Sequence, residues 1–355
     1  MKRSPAEKTE TRASRLAMLQ VLVLASIVLS GCTEPEGPLS RETVAMDTFL
    51  SVTIYDEEID IEEGNRLIDS VFAEIRRIET LATDYSDESE IGRINLGAGR
   101  DTVLVSAEVA AMIRQSLRYS ERTGGAFDIT VGPLVRLWNF LAETPVVPPP
   151  DSIRILLPLV DVRSVVMEGE TIYLSRPGMR LDLGGIAKGY AVDRAIGILR
   201  RNGIHRSIVD LGRNLGVDWD GTAGPDPGDV TVSVRHPRND GAMFGEFRTG
   251  TAGIATSGDY QRYFVREGVR YHHLLDPRTG MPANDVVSVT VISEGATEAD
   301  VLSTAVFVLG RERGIALIES MPGVEGIIIV EAGDSLRALV SSGLRELFLP
   351  VRADD

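Results

Sequence analysis

The pattern of apolar and polar positions predicts interspersed strands and helices along most of the chain. Apolar residues recur every three or four positions at Leu67, Ile68, Val71, Phe72, Ile75, Ile78 and Leu81, which is the stripe of a helix over 62–81. A second stripe, Val109, Met112, Ile113 and Leu117, follows the N-cap candidate Ser106 and stops at Gly124-Gly125. Further helices are predicted from Ile186 to Gly203, over 298–309 and over 312–320. Residues 45–55 alternate as a strand does, and 171–175, 206–211, 229–235, 287–293, 325–331 and 335–340 are strand-like runs between turn residues. The stretch from Gly124 to Leu134 reads as a glycine-broken strand, Gly253 to Tyr260 as a small-residue turn, and the proline-rich 143–151 as a loop. There is no strict βαβ rhythm, and no Gly-x-Gly-x-x-Gly opens a helix after the first strand. The mixture therefore predicts an α+β fold with mainly antiparallel sheets and flanking helices, rather than a doubly wound one.

The chain ends narrow the picture. Lys2, Arg3, Lys8, Arg12 and Arg15 precede an apolar run from Leu16 to Leu29, too short and wrongly flanked for a membrane span, so residues 1–31 read as an export signal. The run closes on Leu29-Ser30-Gly31-Cys32, which resembles a bacterial lipobox and implies lipidation of Cys32; the alternative is an ordinary signal with a chance cysteine. Cys32 is the single cysteine, so once acylated it leaves no thiol for a disulfide, a metal or a nucleophile. Residues 32–42 read as a lipidated tether that anchors the body to a membrane, and 43–355 as the folded domain.

Charge then limits the partners. Loss of residues 1–31 removes five basic and two acidic groups, and the formal charge of −15 becomes −18. So acidic a body repels nucleic acid and anionic lipid. A phosphate-bearing ligand must instead meet a locally positive or metal-loaded pocket.

Several stretches carry candidate chemistry. His272 and His273, with Asp276 and Arg278 close behind, can take a proton, hold a cation or grip a phosphate on bends fixed by Pro277, Gly280 and Pro282. The bland alternative is a surface turn. From Leu181 to Tyr190 a short apolar strand leads through Gly184-Gly185 into a helix, where backbone N–H groups can face an anion. Lys188, in the first helical turn, opposes the macrodipole unless it too faces an anion; as structure alone, this is a tight strand-to-helix turn. Asp300 and Thr304 are four apart and share a helix face, an oxygen pair that suits Mg²⁺ when a carbonyl and phosphate oxygens complete the shell. Alternatively, Glu298 and Asp300 merely favour a helix start. No Ser-His-Asp order and no Gly-x-Ser-x-Gly elbow supports a hydrolase-type nucleophile.

Taken in order, these segments resemble the ApbE family, the FAD:protein FMN transferases. The likeness runs over Tyr85 and Ser89-x₅-Asn95, Ala126-Phe127-Asp128, Asp182 through Gly189, Thr256 through Tyr260, His273 through Gly280, and Ala299-Asp300 through Thr304. It implies a single α+β domain related to the T-fold, with FAD as substrate and Mg²⁺ as metal. It implies transfer of FMN to a threonine hydroxyl of an exported acceptor, the flavin-bearing subunit of a redox pump or reductase, with release of AMP. By position, Met46, Tyr85, Ala126, Phe127, Asp128, Asp182 and Lys188 would contact FAD, and Thr256, Ser257, Gly258 and Leu275 would line the nucleotide pocket. The Gly185 carbonyl, Asp300 and Thr304 would hold the metal, and His273 would be the base. The lipobox agrees with an exported lipoprotein facing the periplasm or another extracytoplasmic space. Three positions depart from the family pattern: Asp47 and Arg213 stand where glycine is usual, and Ile129 where proline is common. Two other readings stay open, an Mg²⁺-dependent pyrophosphatase splitting FAD into FMN and AMP, and a lipid-anchored flavin-binding protein without catalysis.

Overall fold

An eight-stranded sheet is laid down in chain order, each strand antiparallel to its neighbours: β1 (Leu39–Ala45), β2 (Thr48–Ile54), β3 (Arg206–Leu211), β4 (Asn214–Trp219), β5 (Ala252–Gly258), β6 (Ser288–Ser293), β7 (Glu325–Ala332) and β8 (Ser335–Val340). The computed structural model describes residues 37–219 and 230–351. The export signal and Cys32 lie outside the described residues. From Leu39 onward the described residues form one compact unit, and no helix among them is long and apolar enough to cross a membrane.

Three helices cover one face of the sheet in the same order. They are α1 (Ile61–Ala82) against β1, α2 (Ala187–Arg201) against β3 and β4, and α3 (Ala296–Glu319) against β5 to β7. The α1 stripe behaves as its spacing predicts. Ile68, Val71, Phe72, Ile75 and Ile78 are buried, each worth about 1.5–3 kcal/mol. Asp60 caps that helix by accepting from the Glu62 and Glu63 N–H groups. The start of α3 is capped from a distance, since Asp193 on α2 accepts from the Ala296 N–H at 2.7 Å and the Thr297 N–H at 2.9 Å. The two helices expected over 298–309 and 312–320 are both present, since α3 breaks at Gly310, whose φ of 81° and ψ of −178° are not helical. On the opposite face a three-stranded sheet, Val230–Arg235, Met243–Thr249 and Leu349–Pro350, closes a second apolar layer around Phe247, Ile254 and Ile329.

Residues 83–186 form an insertion with its own core, which includes Ile91, Ile113, Phe127 and Leu183 and is shared with Ile186 and Ala187 of the α2 start and Val301 and Ala305 of α3. That seam matters for the site. It joins the insertion to the same turn of two helices that the glycine stretch enters.

Four expectations are corrected. The first strand begins at Leu39, inside the stretch read as tether, because Leu39 to Ala45 pair in full register with Thr48 to Ile54. Gly124 to Leu134 is not a strand: Gly124 and Gly125 have positive φ, and Asp128 caps a 3₁₀ turn that leads into the helix Gly132–Trp138. Residues 181–183 are extended coil and form no strand. Gly253 to Gly258, read as a turn, is the central strand β5. Its small residues serve close packing, since a Cβ on Gly253 would lie 2.0 Å from the Ala296 nitrogen of α3.

Candidate active site

The glycine stretch before α2 is held from three sides. Asn95 bridges Leu181 in both directions, donating from Nδ2 to its carbonyl at 3.0 Å and accepting from its N–H at 2.6 Å. The Asp182 N–H donates to the Ile129 carbonyl at 2.7 Å, which fixes the Ala126–Asp128 segment alongside. The Gly184 N–H donates to Asp182 Oδ1 at 2.7 Å and closes the turn. Lys188 Nζ folds back on the Gly184 carbonyl at 3.0 Å.

Helix α3 meets this turn through its first residues. The Gly189 N–H donates to Asp300 Oδ2 at 3.0 Å, and a Cβ on Gly189 would lie 2.3 Å from the Ala296 carbonyl oxygen. Only glycine permits that approach. A Cβ on Gly185 would stand 3.5 Å from Thr304 Oγ1 and 3.0 Å from Phe127 Cε2, so Gly185 sits between the ring and the hydroxyl. The structure thus gathers Gly185, Asp300, Thr304, Lys188 and Phe127. Asp300 is buried, only 5% exposed, and burial pushes its carboxyl up, while the nearby Lys188 charge works the other way. Ser257, on β5, donates to or accepts from Ser303 Oγ at 2.9 Å and lies 3.5 Å from Thr304 Oγ1.

One carboxyl, one hydroxyl and one backbone carbonyl make a hard, sparse donor set. It fits Mg²⁺, which keeps several positions for phosphate oxygens and water. Burial disfavours the charged form of the Asp300 carboxyl, and a cation beside it would favour that form.

The two histidines divide their roles. His272 is 1% exposed, bonds the Ala283 carbonyl oxygen through Nε2 at 2.8 Å, accepts from the Leu274 N–H through Nδ1 and meets Phe307 edge-on. It is a structural residue. His273 Nδ1, by contrast, is buried without a hydrogen-bond partner. Burial above all holds its imidazole down to about 3, and His272, Arg262 and Lys188 push the same way. His273 is therefore neutral at pH 7, with a ring nitrogen available to a proton. Lys188 acts on both His273 and Asp300, which places the imidazole and the carboxyl within reach of one charge.

The remaining candidates fall into place unevenly. Tyr85 is 67% exposed, on a loop pinned where Arg136 and Arg180 donate to the Asp84 carbonyl. Ser89 steadies that loop, donating to the Thr83 and Ser86 carbonyls and capping the helix Glu90–Leu96. Met46 forms the β1–β2 turn with Asp47, their φ values 49° and 57°, and its N–H meets Glu79 of α1 at 2.8 Å. Asp47 thus holds the left-handed backbone that glycine would supply. Asp128 spends Oδ1 on the Thr130 N–H and hydroxyl, and burial pushes its carboxyl up. Leu275 turns its side chain into a cluster with Leu134, Trp138 and Ile153. Gly258 ends β5 against the Tyr260 ring. Thr256 does not join the site. It bonds Thr290 Oγ1 at 2.9 Å on the opposite face of the sheet from Ser257. Arg278 is likewise absorbed, in an ion pair with Asp276 inside its own turn at 2.7 Å.

Arg262 was missed by the sequence reading. It is exposed, its carbonyl accepts the His273 N–H at 3.1 Å, and its charge reaches the imidazole. Only the register of the hairpin Tyr263–Arg266 and Val269–His272 reveals that neighbourhood.

Comparison with known proteins places this arrangement. The family model described as ApbE family matches residues 46–328. An FAD:protein FMN transferase of Treponema pallidum is 34% identical over 87% of this chain and 89% of its own length. One from Klebsiella pneumoniae is 35% identical over 80% and 88%. Among solved structures, the ApbE protein of Thermotoga maritima superposes with a TM-score of 0.78 at 31% identity, covering 88% of this chain and 99% of that one. The flavin transferase ApbE of Vibrio cholerae gives 0.77 at 28% identity, over 88% and 100%.

Proposed function

The chain belongs to the ApbE family, and from that membership we propose the following reading of its site. The protein is a transferase, an FAD:protein FMN transferase. Its acceptor group is a threonine hydroxyl, and the leaving group is AMP. The hydroxyl oxygen attacks the phosphorus on the FMN side of the FAD pyrophosphate, the bond to the AMP oxygen breaks, and His273 takes the hydroxyl proton. A threonine hydroxyl is a poor nucleophile at pH 7, and a positioned neutral histidine supplies about 10²–10⁴-fold.

Lys188 and Arg262 supply the positive charge for the anionic pyrophosphate. Tyr85 and Phe127 offer aromatic faces to the flavin or adenine, and Asp182 orients the turn. Asp300, Thr304 and the Gly185 carbonyl would hold Mg²⁺, which supplies charge neutralisation on phosphoryl oxygens when bound. An acidic body makes that local positive charge necessary. The observation that carries the reading is the convergence of Gly185, Asp300 and Thr304, with Lys188 close enough to act on both Asp300 and the neutral His273.

The lipobox-like Leu29-Ser30-Gly31-Cys32 supports an acylated Cys32 that tethers this domain to a membrane on its extracytoplasmic side, where an exported flavin-bearing subunit is the acceptor. The test of the site is Asp300→Ala. It is expected to abolish Mg²⁺-dependent flavinylation of an acceptor while leaving the fold intact; undiminished labelling by that variant would refute the assignment.

A further inference from the structure

On the face of the sheet remote from the three helices a cavity of about 250 Å³ opens between β3 to β6 and the strand Val230–Arg235. Its volume corresponds to about eight waters at 30 Å³ each. One end is apolar, lined by Ile208, Val217 and Val230, and the middle by Leu215, Ile254 and Val232. The other end is polar, with Arg213, Thr256, Thr290 and Tyr260, and Asp210 and Arg235 also on the wall. The active-site residues face the opposite side: Ser257 turns toward α3, and its neighbour Thr256 turns into the cavity.

Arg213 is the unusual member. It occupies the two-residue β3–β4 turn with φ of 76°, a conformation that favours glycine, and its N–H donates to Asp210 Oδ1 at 2.9 Å. Its guanidinium lies 4.9 Å from the Tyr260 ring centroid, and Nη1 is buried without a hydrogen-bond partner. A buried guanidinium nitrogen left unpaired is costly unless something fills it. Asp210 stands on the same wall; burial pushes its carboxyl up, while the Arg213 N–H and the Arg213 and Arg235 charges work the other way. Arg235, exposed on the far strand, adds a second positive group.

We infer that this cavity binds a small monocarboxylate with an apolar tail, its carboxylate on Arg213 and its tail between Leu215, Ile254 and Val217. A planar guanidinium matches a carboxylate. Four residues separate Arg213 from Val217, on the order of 13 Å at about 3.3 Å each, which suits a tail of medium length.

Octanoate is the probe, with inorganic phosphate and octylamine as contrasts, titrated by calorimetry into the mature chain and into Arg213→Gly. Glycine suits the turn, so that variant keeps its fold, which its thermal unfolding verifies. Octanoate is expected to bind the wild type saturably and to lose at least tenfold in affinity in Arg213→Gly, with octylamine inert. Its affinity is expected to be unchanged when FAD and Mg²⁺ are present. Equal octanoate affinity in both proteins, no saturable binding, preference for phosphate, or displacement by FAD would each overturn the inference. None of these readouts depends on flavin transfer, so the inference and the proposed function fail separately.

Discussion

His273 and Asp300 show how burial prepares two groups for opposite jobs. The imidazole loses its affinity for a proton, and the carboxyl loses its comfort as an anion, for the same reason of desolvation. His273→Asn is expected to reduce transfer by about 10²–10⁴-fold while FAD still binds, measured as labelling rate against flavin affinity. The imidazole also predicts a pH effect on stability. Its folded value lies below its ordinary 6.5, so the unfolded chain binds the proton more readily, and stability is full above 6.5 and falls as pH drops toward 3. The slope from this group reaches about 1.4 kcal/mol per pH unit. His272 is lowered too and adds to it, whereas Asp300, pushed up, works with the opposite sign above its ordinary 3.8. Thermal unfolding between pH 7 and 5 is expected to show the decline, and His273→Asn is expected to flatten it; an equal slope in the variant would contradict the assignment.

Among the elements, the contact between α2 and α3 sets the geometry of the site, and two glycines in one helix separate its demands. Gly189→Ala places a Cβ against the Ala296 carbonyl, so overpacking of about 1–3 kcal/mol and a Tm lower by several degrees are expected. Gly197→Ala meets only the flexible Arg201 Nη1 at 3.1 Å and is expected to leave Tm unchanged or raise it. The helices were legible in the sequence because a 3.6-residue stripe needs only one buried face, as Ile68, Val71 and Ile75 show. The strand β5 was not, because Gly253 and Ala255 record the nearness of α3, a tertiary fact, and in isolation they look like turn residues. Asp128 misled in a similar way: its neighbours suit a strand, but its side chain caps a 3₁₀ turn. Of the site, residue types and order were legible. The side of the sheet on which Thr256 falls and the reach of Arg262 were not, since both depend on register.

At the scale of the whole molecule, a strongly acidic body sets Lys188 beside Asp300 and His273 where the insertion, α2 and α3 meet, and a separate cavity opens on the other face of the same sheet. The family membership gives the reaction, and the seam shows how this chain would perform it. The most direct measurement is the intact mass of a purified flavin-subunit acceptor after incubation with the mature protein, FAD and Mg²⁺. The account predicts a gain of one FMN less one water, located on a threonine, with an equal amount of AMP released and neither product formed by Asp300→Ala. An acceptor of unchanged mass, with FAD nonetheless split into free FMN and AMP, would contradict it.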